Sequence, residues 1–301
     1  MPSLIKRRAP LLAALAILLV SFSVQASEAK LIVPADTPVP ASLNAQLLAD
    51  YGTERLYRVE RGVYEQWSRS ESIAGLRKLS NPDWLLFDAQ PFDTQTDRIR
   101  VPAGWERSAP TGRALQMVQF VGPIKQAWLD EVEATGATLV HYVANHGYLV
   151  WADAQARSQL NALASQRAML QFSAPYPAFF KMGPVVAERL SRDAGETRLP
   201  VTIQMIRHAN DRDTKAFIDA LAGGSKPLMD WSPVMGFQTA RFELSLTDLA
   251  AIADRSDVYW MEEFLPRERT DEVQNQIVAG NFNGDQSGPS GTGYLAWLSG
   301  L

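Results

Sequence analysis

The sequence predicts an α+β protein in which one β-α-β-β-α-β unit is used twice, with a smaller α/β region in front of the pair. Three observations predict this. Short runs of β-branched, aromatic and aliphatic residues are bounded by glycine, proline and asparagine, as strands are. Between them lie stretches whose apolar residues fall four apart, as on one face of a helix. The order strand, helix, strand, turn, strand, helix, strand begins at Gly112 and begins again at Pro200. With 301 residues, 46% hydrophobic and 21% charged, the chain has the length and composition for about two globular domains.

The first unit is the more sharply written. Residues 112–121 form a strand rich in β-favouring residues and stopped by Gly122-Pro123. Ile124, Trp128 and Val132 share a helix face over 124–135, and Gly136 is placed to end that helix at C′. Residues 138–143 are strand-like, Ala144-Asn145-His146-Gly147 supplies turn chemistry, and residues 148–152 form the next strand. Asp153 is a natural N-cap for a helix carrying Ala156, Leu160 and Leu163, and residues 169–172 close the unit. This connectivity is the ferredoxin-like, or split β-α-β, arrangement, with an antiparallel sheet, and it occupies residues 111–182.

The first strand carries apolar side chains on both faces, Leu115 and Met117 on one, Val118 and Phe120 on the other. Two helices cover one face of a four-stranded sheet, and a solvated second face would alternate cleanly with polar residues. Something is therefore expected to pack on the second face: the sister unit, the N-terminal region or a partner.

A polar linker is expected over 183–198, and the second unit over 199–266. Its first strand is 200–206, and Phe217 and Leu221 mark the helix that Gly223-Gly224 ends. A strand at 237–244, a helix at 245–253 with Leu246, Leu249 and Ile252 on one face, and a strand at 258–261 complete the pattern. The first strands, and likewise the closing strands, are offset by roughly 85 residues, the signature of an internal repeat.

At the N-terminus, Lys6-Arg7-Arg8 precedes an apolar run from Leu11 to Val20, and Val24-Gln25-Ala26 places small residues at −3 and −1. This reads as a signal peptide over 1–26 cut between Ala26 and Ser27, because the run is shorter than the roughly 20 apolar residues of a membrane span. A secreted or periplasmic protein is expected, without a stable membrane anchor after cleavage. Residues 27–110 are read as a Pro- and Ala-rich lead-in over 31–47 followed by a small α/β subdomain packed beside the first unit. That subdomain, over 45–100, has a strand at 55–59, a short helix with Val63 and Trp67, and a strand at 84–87, and residues 98–110 are read as a linker.

The chemistry the sequence excludes is as informative. Lys and Arg number 29 against 33 Asp and Glu, and losing Lys6, Arg7 and Arg8 makes the remainder more acidic, so nucleic acid is a poor partner. The chain has no cysteine, which removes disulfides, thiol catalysis and thiolate metal sites. Of the histidines, His141 and His146 fall close together and His208 stands alone at the end of a strand, with no third ligand at metal spacing. Gly284-Asp285-Gln286-Ser287-Gly288-Pro289 and Gly288-Pro289-Ser290-Gly291-Thr292 each miss an essential position of a serine-nucleophile loop. Glu262 and Glu263 are neighbours in a strand and point to opposite faces. No metal, cofactor or catalytic set is expected.

Several stretches carry a family resemblance. Leu115 to Pro123, Trp128-Leu129 and His141 to Val150 resemble the inhibitory propeptide module of secreted subtilisin-like serine peptidases, and Ala174 to Lys181 resembles the segment after that module in large bacterial members. Asn275 to Asn281 and Gly291 to Leu298 resemble the opening of the catalytic domain, over residues 267–301. The resemblance implies tandem propeptide modules that template folding of the catalytic domain, in cis or in trans, and inhibit it temporarily. The extended residues after the last strand would fill its substrate cleft: Met261, Glu262, Glu263, Phe264, Leu265, Pro266, Arg267, Glu268, Arg269 and Thr270. The processing bond would fall within 264–271. The triad motifs of that family lie beyond these residues, so this chain alone is expected to be inactive. After Phe264 the chain turns polar and extended. Residues 271–279 are expected as a short helix, and the apolar run 294–298 as a core element whose partner the sequence does not supply, as in a chain cut short. A stand-alone exported peptidase inhibitor, and an envelope protein-binding module of the same topology, are the alternative readings.

Overall fold

The computed structural model describes residues 28–192 and 197–265, with Asn283, Gly284 and Ser299. Ala26 and Ser27, residues 266–270, the expected helix at 271–279 and the apolar run at 294–298 lie outside the described residues. Contacts divide the chain into one unit ending at Ser80 and another beginning at Asn81.

The first unit is a single antiparallel sheet. Strands β1 (Glu28–Pro34), β2 (Gln46–Asp50) and β3 (Glu54–Glu60) are followed by helix α1 (Arg61–Trp67) and the short strand β4 (Arg77–Lys78), in the order β2-β3-β1-β4. Ala29, Leu31 and Val33 alternate along β1 into a core with Leu43, Val59 and Trp67, and Val63 packs against it. The lead-in expected over 31–47 therefore contains the second half of an interior strand and the start of an edge strand, joined through a 3₁₀ turn at Ala41–Leu43. The prolines that suggest a loose segment, Pro38 and Pro40, follow β1, whose three alternating apolar residues are enough to seat it between β3 and β4.

The second unit holds both repeats. It opens with a two-stranded ribbon, β5 (Trp84–Leu85) and β6 (Phe92–Asp93). Strand β7 (Ala114–Phe120), helix α2 (Gln126–Ala134), strands β8 (Thr138–Val143) and β9 (Gly147–Ala152), helix α3 (Ala154–Gln166) and strand β10 (Leu170–Pro175) come next, in an antiparallel sheet ordered β10-β7-β9-β8. The local signals are satisfied one by one. Gly136 has φ +91°, Asn145 and His146 turn the chain at φ +66° and +68°, and the Asp153 carboxylate accepts the Ala156 N–H at 2.9 Å. Val118, Phe120, Val150 and Ala152 face the helices, meeting Val132, Ala156 and Leu160.

The opposite face is covered as its apolar residues require. Leu115, Met117, Leu149 and Trp151 pack against Leu85 and Phe92 of the ribbon, against Phe180, and against Ile206 of the second repeat. Residues 84–93 thus complete the core of the first repeat instead of belonging to a subdomain spanning 45–100. Sequence alone groups them with the N-terminal region because each ribbon strand is only two residues long, too short to show a period.

The linker expected over 183–198 contains helix α4 (Pro184–Arg192), preceded by a 3₁₀ turn at Ala178–Lys181. Val186 is buried, and Ala187 and Leu190 pack on the second core, while Glu188 and Arg192 pair on the outer side at 2.7 Å. That charged face is why the segment reads as a spacer. Strand β11 (Arg198–Ile206), helix α5 (Asp211–Leu221), strands β12 (Met229–Val234) and β13 (Phe237–Ser245), helix α6 (Leu246–Ala253) and strand β14 (Val258–Glu263) then repeat the first topology, with sheet order β12-β13-β11-β14. Leu246, Leu249 and Ile252 are all buried, and Ser245 and Asp248 form a reciprocal capping box at the start of α6. Strand β12 has no counterpart among the expected elements of the second repeat. It is an edge strand containing Asp230 and Pro233, residues disfavoured inside sheets but tolerated at their rims.

Candidate functional site

Strand β14 is an edge strand, hydrogen-bonded to β11 on one side. Met261 opposite Ile203 is fully buried in the second core, and its carbonyl accepts the Gly183 N–H at 2.7 Å. Glu263 is paired with Arg189 at 3.0 Å. The Phe264 N–H donates to the Pro200 carbonyl at 2.7 Å, and its ring lies 4.1 Å from the Arg241 guanidinium carbon. Leu265 is 68% exposed. Of the expected cleft-filling residues, Met261, Glu262, Glu263 and Phe264 are therefore built into the sheet, and Leu265 is the first one outside it. Pro266, Arg267, Glu268, Arg269 and Thr270 lie outside the described residues.

Beside β14 runs a groove of about 450 Å³ between the two repeats. One wall is His141, Tyr142, Val143 and Ala144, at the end of β8. The other is Tyr259, Trp260 and Glu262 of β14, and Leu86, Phe87, Asp88, Leu149, Tyr176 and Gln204 complete the lining. Tyr259 stacks on Phe237 with ring centres 4.8 Å apart and meets the His141 ring at 5.6 Å, which ties the repeats together at the groove. Burial, with a smaller push from the Asp88 charge, raises the Tyr259 phenol to about 12. Burial raises Tyr176 as well, and its hydroxyl donates to the Phe180 carbonyl at 2.7 Å. Sequence reasoning places His141 with His146 as a loose pair; the structure instead sets His141 against a tyrosine from the other repeat.

His208 is not alone. Its Nε2 lies 2.9 Å from an Asp257 carboxylate oxygen, whose other oxygen accepts the Thr214 hydroxyl at 2.8 Å. The Asn210 N–H donates to Nδ1 at 3.2 Å, so the ring hydrogen sits on Nε2 and points at Asp257. The Arg255 guanidinium closes the cluster by donating to the Thr214 oxygen at 3.0 and 2.9 Å. Nucleophile activation requires a hydroxyl donating to the imidazole. Here Thr214 donates to the carboxylate and the free ring nitrogen is taken by backbone, so the cluster locks α5 to the turn before β14. The sequence offers no signal for it, since His208 and Asp257 are 49 residues apart.

A second cavity, about 750 Å³, lies where residues 99–110 cross the unit, and it is lined by Val101, Trp105, Leu115, Tyr176, Ala253 and Lys181 among others. The Lys181 amine donates to the Arg255 carbonyl at 2.5 Å, and burial lowers it to about 8 although Asp257 and Asp254 pull the other way. Among the described residues no group of three or more His, Asp or Glu is placed to hold a metal ion, and no helix is long and apolar enough to cross a membrane.

The family model described as Domain of unknown function (DUF8729) matches residues 86–176. That span begins just after β5 and runs through β6 and the whole first repeat to the end of β10, so it takes in one of the two ribbon strands. No curated protein and no solved structure matches the chain.

Proposed function

We propose that the chain is the propeptide region of a secreted or periplasmic subtilisin-like serine endopeptidase, acting as intramolecular chaperone and temporary inhibitor, with proteolysis carried by a separate catalytic domain. One observation carries this reading. Two β-α-β-β-α-β repeats pack against each other, and the last strand of the second is an edge strand whose ladder extends to the Phe264 N–H, with the next residue, Leu265, exposed. A folded module whose edge strand leads into an exposed residue suits delivery of the following residues to a protease cleft, where an extended segment gains main-chain hydrogen bonds and its side chains set specificity.

The inhibitory segment then starts at Leu265, since everything earlier is needed by the sheet. The purified chain is expected to inhibit a subtilisin-like peptidase. Truncation after Leu265, which keeps the β11–β14 ladder intact, is expected to weaken that inhibition at least tenfold while the circular dichroism spectrum stays that of an α+β fold. Absence of inhibition by the full chain, or equal inhibition by the truncated one, removes the proposal.

A further inference from the structure

The groove between β8 and β14 is lined by aromatic rings and carboxylates. Among the described residues lining it are the rings of Phe87, Tyr142, Tyr176, Tyr259 and Trp260, the His141 imidazole, two carboxylates, Asp88 and Glu262, and no lysine or arginine. Neither carboxylate forms an ion pair with a described residue; Glu262 only accepts the Trp260 indole N–H at 3.4 Å. Aromatic faces attract cations through their quadrupole, and two unpaired carboxylates reinforce that attraction, so the groove favours a cationic group.

The backbone narrows the occupant further. His141, Tyr142, Val143 and Ala144 are consecutive, and successive side chains of a strand point to opposite faces. The first three close β8 and Ala144 opens the turn after it, and consecutive strand residues line one groove where it follows the rim of the strand. Among the described residues, strand β8 is the edge of its sheet and pairs only with β9. An unpaired rim of this kind accepts an extended peptide by strand addition.

We propose that the groove binds an extended peptide segment that pairs with the free edge of β8 and places an arginine or lysine side chain among Tyr259, Trp260, Asp88 and Glu262. The inference rests on the groove and holds whether or not the chain is a propeptide. The test is calorimetric titration of the full chain with acetyl-Val-Arg-Val-amide, with the same peptide carrying citrulline (a neutral isostere of arginine), and with a backbone N-methylated arginine peptide.

The arginine peptide is expected to bind at least tenfold more tightly than either analogue, and to lose its margin over the citrulline peptide in the Asp88→Asn, Glu262→Gln double variant. Both substituted side chains are exposed, so the variant keeps the fold, which a matching thermal midpoint checks. No binding of the arginine peptide at millimolar concentration, equal binding of the citrulline peptide, or unchanged binding by the double variant overturns the proposal. Equal binding of the N-methylated peptide overturns the strand pairing.

Discussion

Gln119 is fully buried in β7 and makes four hydrogen bonds. Its Oε1 accepts from the Thr94 hydroxyl at 2.5 Å and from Gln171 at 2.6 Å, and its amide donates to the Asn145 and Pro82 carbonyls at 3.0 and 3.3 Å. Gln119→Leu keeps the volume but strips these partners, and unpaired buried polar groups are costly. A loss of about 2–3 kcal/mol is expected in urea denaturation of the full chain. A strand pattern gives no reason to bury this glutamine, because Thr94 and Gln171 lie 25 and 52 residues away. Lys181 makes a prediction in pH. Its amine titrates near 8 in the fold, against 10.5 when unfolded, so between those values the unfolded chain binds more protons and stability rises with pH. The penalty is fully present below pH 8 and amounts to about 3 kcal/mol. Denaturation midpoints should climb from pH 8 to 10 in the wild type and stay flat in Lys181→Met. The window stops there because Tyr259, raised to about 12, works in the opposite sense above pH 10.

Elements were legible where a cap or turn residue declared them and illegible where they were short or sat at a rim. Asp153, Gly136 and the Asn145-His146 turn mark α3, α2 and the β8–β9 connection. Strand β12, with Asp230 and Pro233, carries no such mark, and the β5–β6 ribbon is too short to have a period. The ribbon's seat nonetheless rests on one glycine. A methyl group added at Gly147 would lie 2.4 Å from Leu85 Cδ2 and 3.2 Å from Val143 Cβ. Leu85 is fully buried, so it has little room to yield. Gly147→Ala is expected to cost about 1–3 kcal/mol, as overpacking does. Hydrogen exchange of the Thr94 and Trp84 amides, which bond to Asp83 and Asn81 carbonyls, should quicken before that of β7. Equal protection in the variant would contradict this account of how the ribbon is held.

At the scale of the molecule, the two repeats of the second unit are joined by a common apolar seam. Phe180 is 1% exposed and touches the rings of Phe87, Phe92 and Tyr176. Phe180→Ala should cost about 3–5 kcal/mol and lower the unfolding midpoints of both repeats together, read as one transition by exchange in β7 and β11. Two separated transitions would mean that the seam does not couple them. The sequence announced the seam through the doubly apolar β7 but not the groove next to it, whose walls come from residues 86–88, 141–144 and 259–262. Only the fold brings those stretches together. In both repeats the first strand ends up between the third and the fourth: β7 lies between β9 and β10, and β11 between β13 and β14. Emerging N-terminus first, β7 therefore waits for Gly147 before it meets any partner, and β11 waits for Phe237. Pairings this distant along the chain form late. Two of the most apolar strands thus spend the early part of folding bare, so the molecule's exposure to aggregation is set by its rate of folding more than by its final stability.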